Sequence, residues 1–461
     1  MLNLPAELLA ARQFKLHRIT SHLTTHLDCM PLHKTLSEWL EHINRQHTAE
    51  IVMGLARVDD VWRRMLVDGK ACPQAPINIV VAGTNGKGST SAMLAAILNI
   101  AGYSTGFYSS PHLIHYNERV QIDGVQASDA LLIESFEAVE AAASMLPVIP
   151  LTYFEYATLS ALWCFATKKV DVAVLEVGLG GRLDAVNLID ADVSIVTSID
   201  LDHQAYLGDT IEKIGWEKAH VYRAGRPAIF ADNAVPKSVI AHAENIGAPL
   251  HIVGRDYQYH RMETQWQWQG TIMGEASRRH ALPVPALRGL YQLKNASAAL
   301  AALAALRHLV PVSQNQVKRG LLEVVWPGRL QMLPGRPAVV LDVAHNPHAA
   351  RALEDAMGTM GFYENTYAVF GMLQDKDIDT VIKIMKGRID HWHIAGLGGA
   401  RGASVEIIAA LLDSNGCHGH YTPHISIPSA YDAARAKAGE NDRILAFGSF
   451  YTVADLMRHL G

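Results

Sequence analysis

The stretch INIVVAGTNGKGSTSAMLAAIL, from Ile77 to Leu98, constrains the fold of this chain more than any other. It opens on a β-branched run, passes through Gly and small polar residues around one lysine (AGTNGKGST), and continues as an Ala- and Leu-rich run suited to a helix. A strand that enters a helix through such a loop is built to hold phosphate. Small residues let backbone N–H groups reach anionic oxygens, the helix presents its positive end, and Lys87 adds a point charge. The common spacing G-x-x-x-x-G-K-[ST] would place Gly at Val81 and Ser or Thr at Gly88. The loop is therefore either a variant of that pattern or a chance cluster of glycines, and the rest of the chain must decide.

From Ile77 onward, short β-branched runs alternate with helical ones, the signature of parallel α/β architecture. Strands are expected at Ile77 to Val81, Asp171 to Val177, Asp192 to Ser198 and Pro227 to Phe230, with a small antiparallel insertion over Tyr257 to Ile272. A long Ala-rich helix, NASAALAALAALRHL, follows. Beyond VVWPGRLQMLPGRP a second series begins, with strands in AVVLDVA, YAVFGML, HWHIAGL and RILAFGS. This predicts an N-terminal extension (1–33), a first domain (34–325) and a smaller, doubly wound domain (326–461).

The 461 residues are enough for two or three cores. With 49% apolar and 18% charged residues the chain reads as globular rather than disordered, and a net charge of −5 without a long basic run gives no footprint for nucleic acid. The apolar run Ala296 to Leu306 is too short to cross a bilayer. Cys29, Cys72, Cys164 and Cys417 are scattered and form no C-x-x-C pair, so a reducing cytoplasm is expected.

Chemistry-bearing residues gather at expected strand ends. VDVAVLEVGLGG delivers Glu176, and ADVSIVTSIDLDH delivers Asp202 and His203 to the same edge, where ligands bind in such sheets. Each alone reads as a surface residue. In register with a phosphate loop, Glu176 and His203 point to Mg²⁺. A helix capped at Asp209/Thr210 carries Lys218, which by itself reads as an exposed lysine on a charged face. In the second series Asp342 and His345 end a strand, and both His345 and Arg329 allow a structural reading. His391 and His393 alternate about Trp392 and resemble a metal pair only superficially.

Ten stretches together, among them VAGTNGKGST, YSSPHL, LTYFEYATLSAL, LEVGLGGRLDAVN, SIDLDH, EKAHVYR, PGRLQ, LDVAHNPHAA, GMLQDKD and GSFYTVADL, resemble the folylpolyglutamate and dihydrofolate synthases of the Mur ligase superfamily, over roughly residues 37 to 461. The resemblance implies an ATP-binding first domain with a parallel-rich sheet and a Rossmann-like glutamate-ligase second domain. It implies ATP-phosphate contacts at Thr84, Asn85, Gly86, Lys87, Gly88 and Ser89, and nucleotide contacts at Asn295, Arg329 and Asp342. It implies Mg²⁺ on Ser110, Glu176 and His203, a second Mg²⁺ on a carbamylated Lys218, and allows K⁺ as a further ion. Contacts to a pterin substrate are implied at Thr152, Tyr153, Phe154 and Glu155 and at Arg182, Leu183 and Asp184, with His345 and Ser449 as candidates for the incoming glutamate. The implied reaction activates a carboxylate of dihydropteroate or a reduced folate as an acyl phosphate, which the amine of L-glutamate attacks. The implied protein is a cytoplasmic monomer without nucleic-acid or membrane partners. IVMGLARVDDVW, near Leu55 to Asp59, resembles the region that holds dihydropteroate in bifunctional members and favours both activities over polyglutamylation alone. A cell-wall Mur ligase would need a further N-terminal domain, for which the segment before Ile77 has no room, and a non-catalytic switch sits poorly with intact Lys87, Glu176, His203 and Lys218. One departure stands out: Asp200, where a small or neutral residue is expected.

Overall fold

The computed structural model describes residues 34–46 and 52–461; the expected extension, 1–33, lies outside the described residues. A short hairpin, β1 (Leu66–Val67) and β2 (Lys70–Ala71), precedes the phosphate-loop strand β3 (Ile77–Ala82). Then come β4 (Thr105–Tyr108), β5 (Val120–Ile122), β6 (Val125–Gln126), β7 (Val172–Glu176), β8 (Val193–Val196), β9 (Ala228–Phe230) and β10 (Leu250–Ile252). They form one sheet in the order β10-β9-β8-β3-β7-β4-β5-β6, parallel from β10 to β4 and antiparallel beyond. The four expected strands are all present.

Both faces of this sheet are covered, which is why its strands read as unbroken apolar runs. Successive β3 side chains alternate between two cores: Val80 and Ala82 pack with Tyr108 and Tyr156, while Ile79 and Val81 pack with the Ala-rich helix. That helix spans Tyr291–Ala305, starting a turn earlier than its alanines suggested, and small side chains let it lie close against the phosphate-loop helix Lys87–Ala101. The antiparallel insertion is present but longer than expected: β11 (Tyr257–Arg261), β12 (Gln265–Ile272) and β13 (Glu275–Pro283) form a three-stranded sheet, with Trp266 and Trp268 buried on one face.

The second series folds into a six-stranded sheet of β14 (Gln331–Leu333), β15 (Ala338–Leu341), β16 (Thr366–Phe370), β17 (His391–Ala395), β18 (Tyr421–His424) and β19 (Arg443–Phe447). Its order is β14-β15-β19-β16-β17-β18, parallel except for the edge strand β14. The strands β14 and β18 had no counterpart in the sequence reading because both are short and half-buried, with no apolar run to reveal them. His393 is buried on β17, where Nδ1 meets His424 Nε2 at 3.0 Å, and His391 Nε2 meets Thr422 Oγ1 at 2.8 Å. Among the described residues no group of three or more His, Cys, Asp or Glu side chains is arranged to hold a metal ion. Nor, among them, is any helix long and apolar enough to cross a membrane.

Candidate active site

The carboxyl edges of both sheets line one cavity of about 540 Å³, the position that strand-order reversal creates in open α/β sheets. The whole loop Gly83 to Ser89 faces it. Close packing explains two of its glycines. Gly83 has φ +145°, and a Cβ there would lie 1.9 Å from Thr197 Oγ1; Gly86 has φ +88°, and a Cβ would lie 2.5 Å from Asn295 Oδ1. The loop is stitched to the end of β8: Thr84 N donates to Ser198 O (2.7 Å), and Thr197 Oγ1 donates to Asn85 O (2.6 Å). Thr84 Oγ1 accepts from Asp200 N (3.0 Å), so the unexpected Asp200 is held through its backbone while its carboxylate reaches Arg351 at 3.4 Å.

Gly88, one of the two departures from the common loop spacing, has a steric cause. A Cβ would stand 2.7 Å from Trp326 Nε1 and 3.4 Å from Glu176 Oε2. Trp326 is itself seated on Phe107, with ring centroids 5.1 Å apart, so it has little freedom to retreat. Gly88→Ser, which restores the common residue after the lysine, is expected to lower stability by about 1–3 kcal/mol through overpacking and to weaken nucleotide binding. Urea unfolding and an ADP titration check this, and adding Trp326→Phe should recover part of the loss. A Gly88→Ser protein as stable as the wild type would refute the packing account.

Lys87 Nζ donates to Gly83 O (3.0 Å) and Thr84 O (3.3 Å) from the first turn of its helix. Lys218 is not exposed on a charged face as its neighbours suggested: it is 4% exposed, and its Nζ donates to the same Gly83 carbonyl at 3.0 Å. Burial, reinforced by the Lys87 charge, pushes the Lys218 ammonium down to about 7. The helix Ile211–Ala219 that carries it is capped by Thr210, whose Oγ1 accepts from Lys213 N as the sequence predicted.

Glu176 ends β7 and is 4% exposed. Burial pushes its carboxyl up to about 7, against the pull of Lys87, Arg329 and the Ser110 backbone N–H. No side chain among the described residues hydrogen-bonds it. A buried carboxylate so poorly compensated, facing a cavity beside Ser110 and His203, suits a divalent cation. Burial holds the His203 imidazole down to about 4, so it is neutral at physiological pH, the form that ligates metal. Metal affinity should therefore rise about tenfold per pH unit up to about pH 7, where Glu176 loses its proton, and then level off. Calorimetric titration with Mg²⁺ or Mn²⁺ at several pH values checks this, and a flat profile between pH 5 and 7 would refute it.

The second domain closes the cavity through polar contacts. Lys376 Nζ lies 2.6 Å from Asp202 Oδ1, Asn346 Nδ2 donates to Asp202 Oδ2 (3.1 Å), and the amides of Asn85 and Asn346 pair at 3.2 Å. Burial opposes ionisation of Asp202, yet His203, Lys376 and His345 hold its carboxyl well below the usual carboxylate range. Arg329 lies over the Phe450 ring at 5.1 Å. Asp342 spends both oxygens on the backbone N–H groups of Leu330 and Ala344, each at 2.8 Å, fixing the strand end that presents His345. Ser449 caps the last helix, accepting from Tyr451 N at 3.1 Å, and lines the cavity. Asn295 and Ser89 are linked through Gln292, at 2.9 and 3.3 Å.

The segments expected to touch a pterin lie outside this cavity wall. Thr152 and Glu155 form a capping box at the start of the helix Tyr153–Lys168, and Glu155 Oε1 pairs with Arg57 Nη2 at 2.8 Å. That bond ties TYFE to the helix Ala56–Arg64 in the GLARVDD stretch. Phe154 packs where a Cβ on Gly178 would come within 2.5 Å of its ring. Arg182 pairs with Glu217 (2.9 Å), Leu183 O accepts from Gly54 N (3.3 Å), and Asp184 accepts from Leu179 N (2.8 Å) and Val186 N (3.0 Å). Thus TYFE, RLD and GLARVDD converge on one side of the Gly178 to Gly180 loop, which does line the cavity.

A profile of the Mur ligase middle domain matches residues 81–303, and one of the Mur ligase glutamate ligase domain matches residues 328–450. The dihydrofolate synthase/folylpolyglutamate synthase of Escherichia coli (strain K12) is 41% identical over 425 residues, covering 92% of this chain and 94% of the relative. The chain belongs to the dihydrofolate synthase/folylpolyglutamate synthase family of Mur ligases. The Haemophilus influenzae member is 35% identical over 91% of this chain and 96% of its own. The structure of E. coli FolC in complex with DHPP and ADP superposes with a TM-score of 0.86 at 40% identity, covering 94% of this chain and 99% of that one. A bifunctional folylpolyglutamate synthase/dihydrofolate synthase with Mn, AMPPNP and L-glutamate bound gives a TM-score of 0.83 at 40% identity, covering 93% and 98%.

Of the residues that line the cavity, the sequence reading had named Thr84 to Ser89 of the phosphate loop, Ser110, Glu176, His203 and Lys218. It missed Trp326, Arg119 and the roles of Asn346 and Lys376. Lys376 stood within GMLQDKD, but only the fold brings it to Asp202, 174 positions earlier in the chain.

Proposed function

We propose that this protein is an ATP-dependent ligase that joins L-glutamate to 7,8-dihydropteroate, giving dihydrofolate, and to the γ-carboxylate of reduced folates, giving polyglutamates. The observation that carries this reading is the single cavity in which the Gly83–Ser89 loop, the buried Glu176 and Lys218, and the second domain's Asp342–His345 edge meet. The near full-length likeness to family members bound to DHPP, ADP and L-glutamate supports it.

The loop N–H groups and Lys87 take up the ATP phosphates at the helix N-terminus, and Asn295 and Arg329 flank the nucleotide. Ser110, Glu176 and His203 would hold one Mg²⁺, and bound Mg²⁺ would supply charge neutralisation for the anionic partners of phosphoryl transfer. Lys218 would hold a second Mg²⁺ as a carbamate: with its ammonium at about 7, much of it is neutral near pH 7 and open to CO₂. K⁺ is a further ion of this reading. The phosphorylated carboxylate then meets the glutamate amine. His345 is placed to receive that amine, because Nδ1 is engaged by Val343 O at 2.8 Å, which leaves Nε2 as an acceptor. Burial and the Lys376 charge push His345 down to about 4, so the ring stays neutral through physiological pH. Ser449 serves the same substrate, and Thr152 to Glu155 with Arg182 to Asp184 shape the pterin side. The contacts from Asn346 and Lys376 exclude water that would otherwise hydrolyse the acyl phosphate. We divide the chain into domains at 325/326 and take the protein as a cytoplasmic monomer.

ADP release is the test, with ATP, Mg²⁺ and L-glutamate present and either 7,8-dihydropteroate or a reduced folate monoglutamate added. Turnover with both is expected. Turnover with the folate alone would leave a polyglutamate synthase and return GLARVDD to a structural role, and turnover with neither would overturn the reading.

A further inference from the structure

Arg119 carries an unmatched charge in the cavity wall. It is 8% exposed, and among the described residues no carboxylate pairs with it. The half-buried Arg57 and Arg182 pair with Glu155 and Glu217, and the buried Arg443 spends Nη2 on Thr366 Oγ1 at 2.9 Å beside the Tyr363 ring. Only Nε of Arg119 is engaged, donating to His112 Nδ1 at 2.8 Å. An arginine cannot accept a hydrogen bond, so His112 is an acceptor at Nδ1 and carries its proton on Nε2. The guanidinium is also braced by two rings, with centroids 5.6 Å (Tyr116) and 5.5 Å (Tyr153) away. Nη1 and Nη2 have no acceptor among the described residues. A buried, braced guanidinium with its planar fork open is built for a bidentate anion.

The sheet order says which anion. Along β3-β7-β4-β5, the carboxyl or loop ends present in turn the Gly83 loop, Glu176, Ser110 and Arg119. Three interstrand steps of ~4.8 Å set Arg119 roughly 14 Å from the phosphate loop. The proposed metal ligands Glu176 and Ser110 lie between. We propose that Arg119, oriented by His112, Tyr116 and Tyr153, binds the carboxylate of the pteroate or folate that is to be phosphorylated, and thereby sets the acceptor on the far side of Glu176 and Ser110 from the phosphate loop. This rests on the ligase reading above and assigns the acceptor's carboxylate to a residue outside the phosphate loop and the metal ligands.

The test compares 7,8-dihydropteroate with its carboxamide, titrated into wild type and Arg119→Gln in the presence of ADP and Mg²⁺. Wild type is expected to bind the acid about 10- to 100-fold more tightly than the amide, and Arg119→Gln to bind both alike while its ADP affinity is unchanged. A merely structural Arg119 would weaken both ligands together and keep their ratio. Arg119→Lys, which retains the cation for folding, is expected to show a preference cut at least about threefold, because a point charge lacks the fork. The proposal is overturned if wild type shows no preference for the acid, or if either folded variant keeps the wild-type ratio. Failure of the ligase reading is distinguishable, since it appears as absent ADP release from wild type whatever the binding ratio.

Discussion

Lys87→Ala is expected to lose ligation by roughly 10²–10³-fold in kcat while the protein remains folded. Two effects add. The γ-phosphoryl group loses a cation aimed at it from the helix N-terminus, where charge develops during transfer. The second effect acts through Glu176. Lys87 is the largest influence favouring its ionised form, so removing the ammonium lifts a carboxyl already at about 7 and weakens metal binding at neutral pH. The fold does not depend on Lys87 in the same way. Among the described residues its Nζ hydrogen-bonds Gly83 O and Thr84 O of its own loop alone, and burial disfavours its charge. Circular dichroism and thermal melting should match wild type, while ADP release collapses and the Mg²⁺ requirement shifts to higher concentration. Near-normal turnover would remove Lys87 from the phosphate site.

The first sheet was legible because its strands are buried on both faces, so that β7 and β8 stand out as apolar runs ending in a carboxylate or a Ser-Ile-Asp turn. The phosphate loop was legible because each of its glycines answers a local demand of backbone or packing. Side chains that act across the domain boundary were not. Asn346, which caps the helix Pro347–Thr359 and also pairs with Asn85 and Asp202, looks in sequence like an ordinary N-cap. The burial of Lys218 was hidden for the same reason. Its neighbours Glu217 and Glu212 face Arg182 and Ser238, and only Gly181, where a Cβ would lie 2.7 Å from Glu217 O, lets the adjoining loop close over the lysine. Arg119 gave no sequence signal, since an arginine in HYNERV is ordinary until its missing partner is seen.

Lys218→Ala is expected to cost activity on a similar scale, roughly 10²–10³-fold, but with a different signature. An ammonium next to Lys87 on one carbonyl oxygen is a poor neighbour for a second Mg²⁺, whereas a carbamate offers anionic oxygens in its place. The amine must be neutral to react, giving RNHCOO⁻ and one proton from RNH₂ and CO₂. With the ammonium at about 7, the reactive fraction grows as pH rises through neutrality and shrinks below it. Wild-type activity should accordingly fall in buffers stripped of CO₂ and return on adding bicarbonate, with the larger effect at the lower pH. The alanine variant should ignore bicarbonate yet recover part of its activity with formate or acetate, which can place a carboxylate in the vacated space. Stability argues in the same direction. A lysine whose ammonium titrates near 7 when folded and near 10.5 when unfolded opposes folding most below pH 7, and its cost falls as pH rises from 7 towards 10.5. Replacing it should therefore raise the melting temperature of the metal-free protein at pH 6 more than at pH 9. A variant with wild-type turnover in CO₂-free buffer would exclude the carbamate, and one that is less stable at pH 6 would show that Lys218 is held in the fold by more than its bond to Gly83.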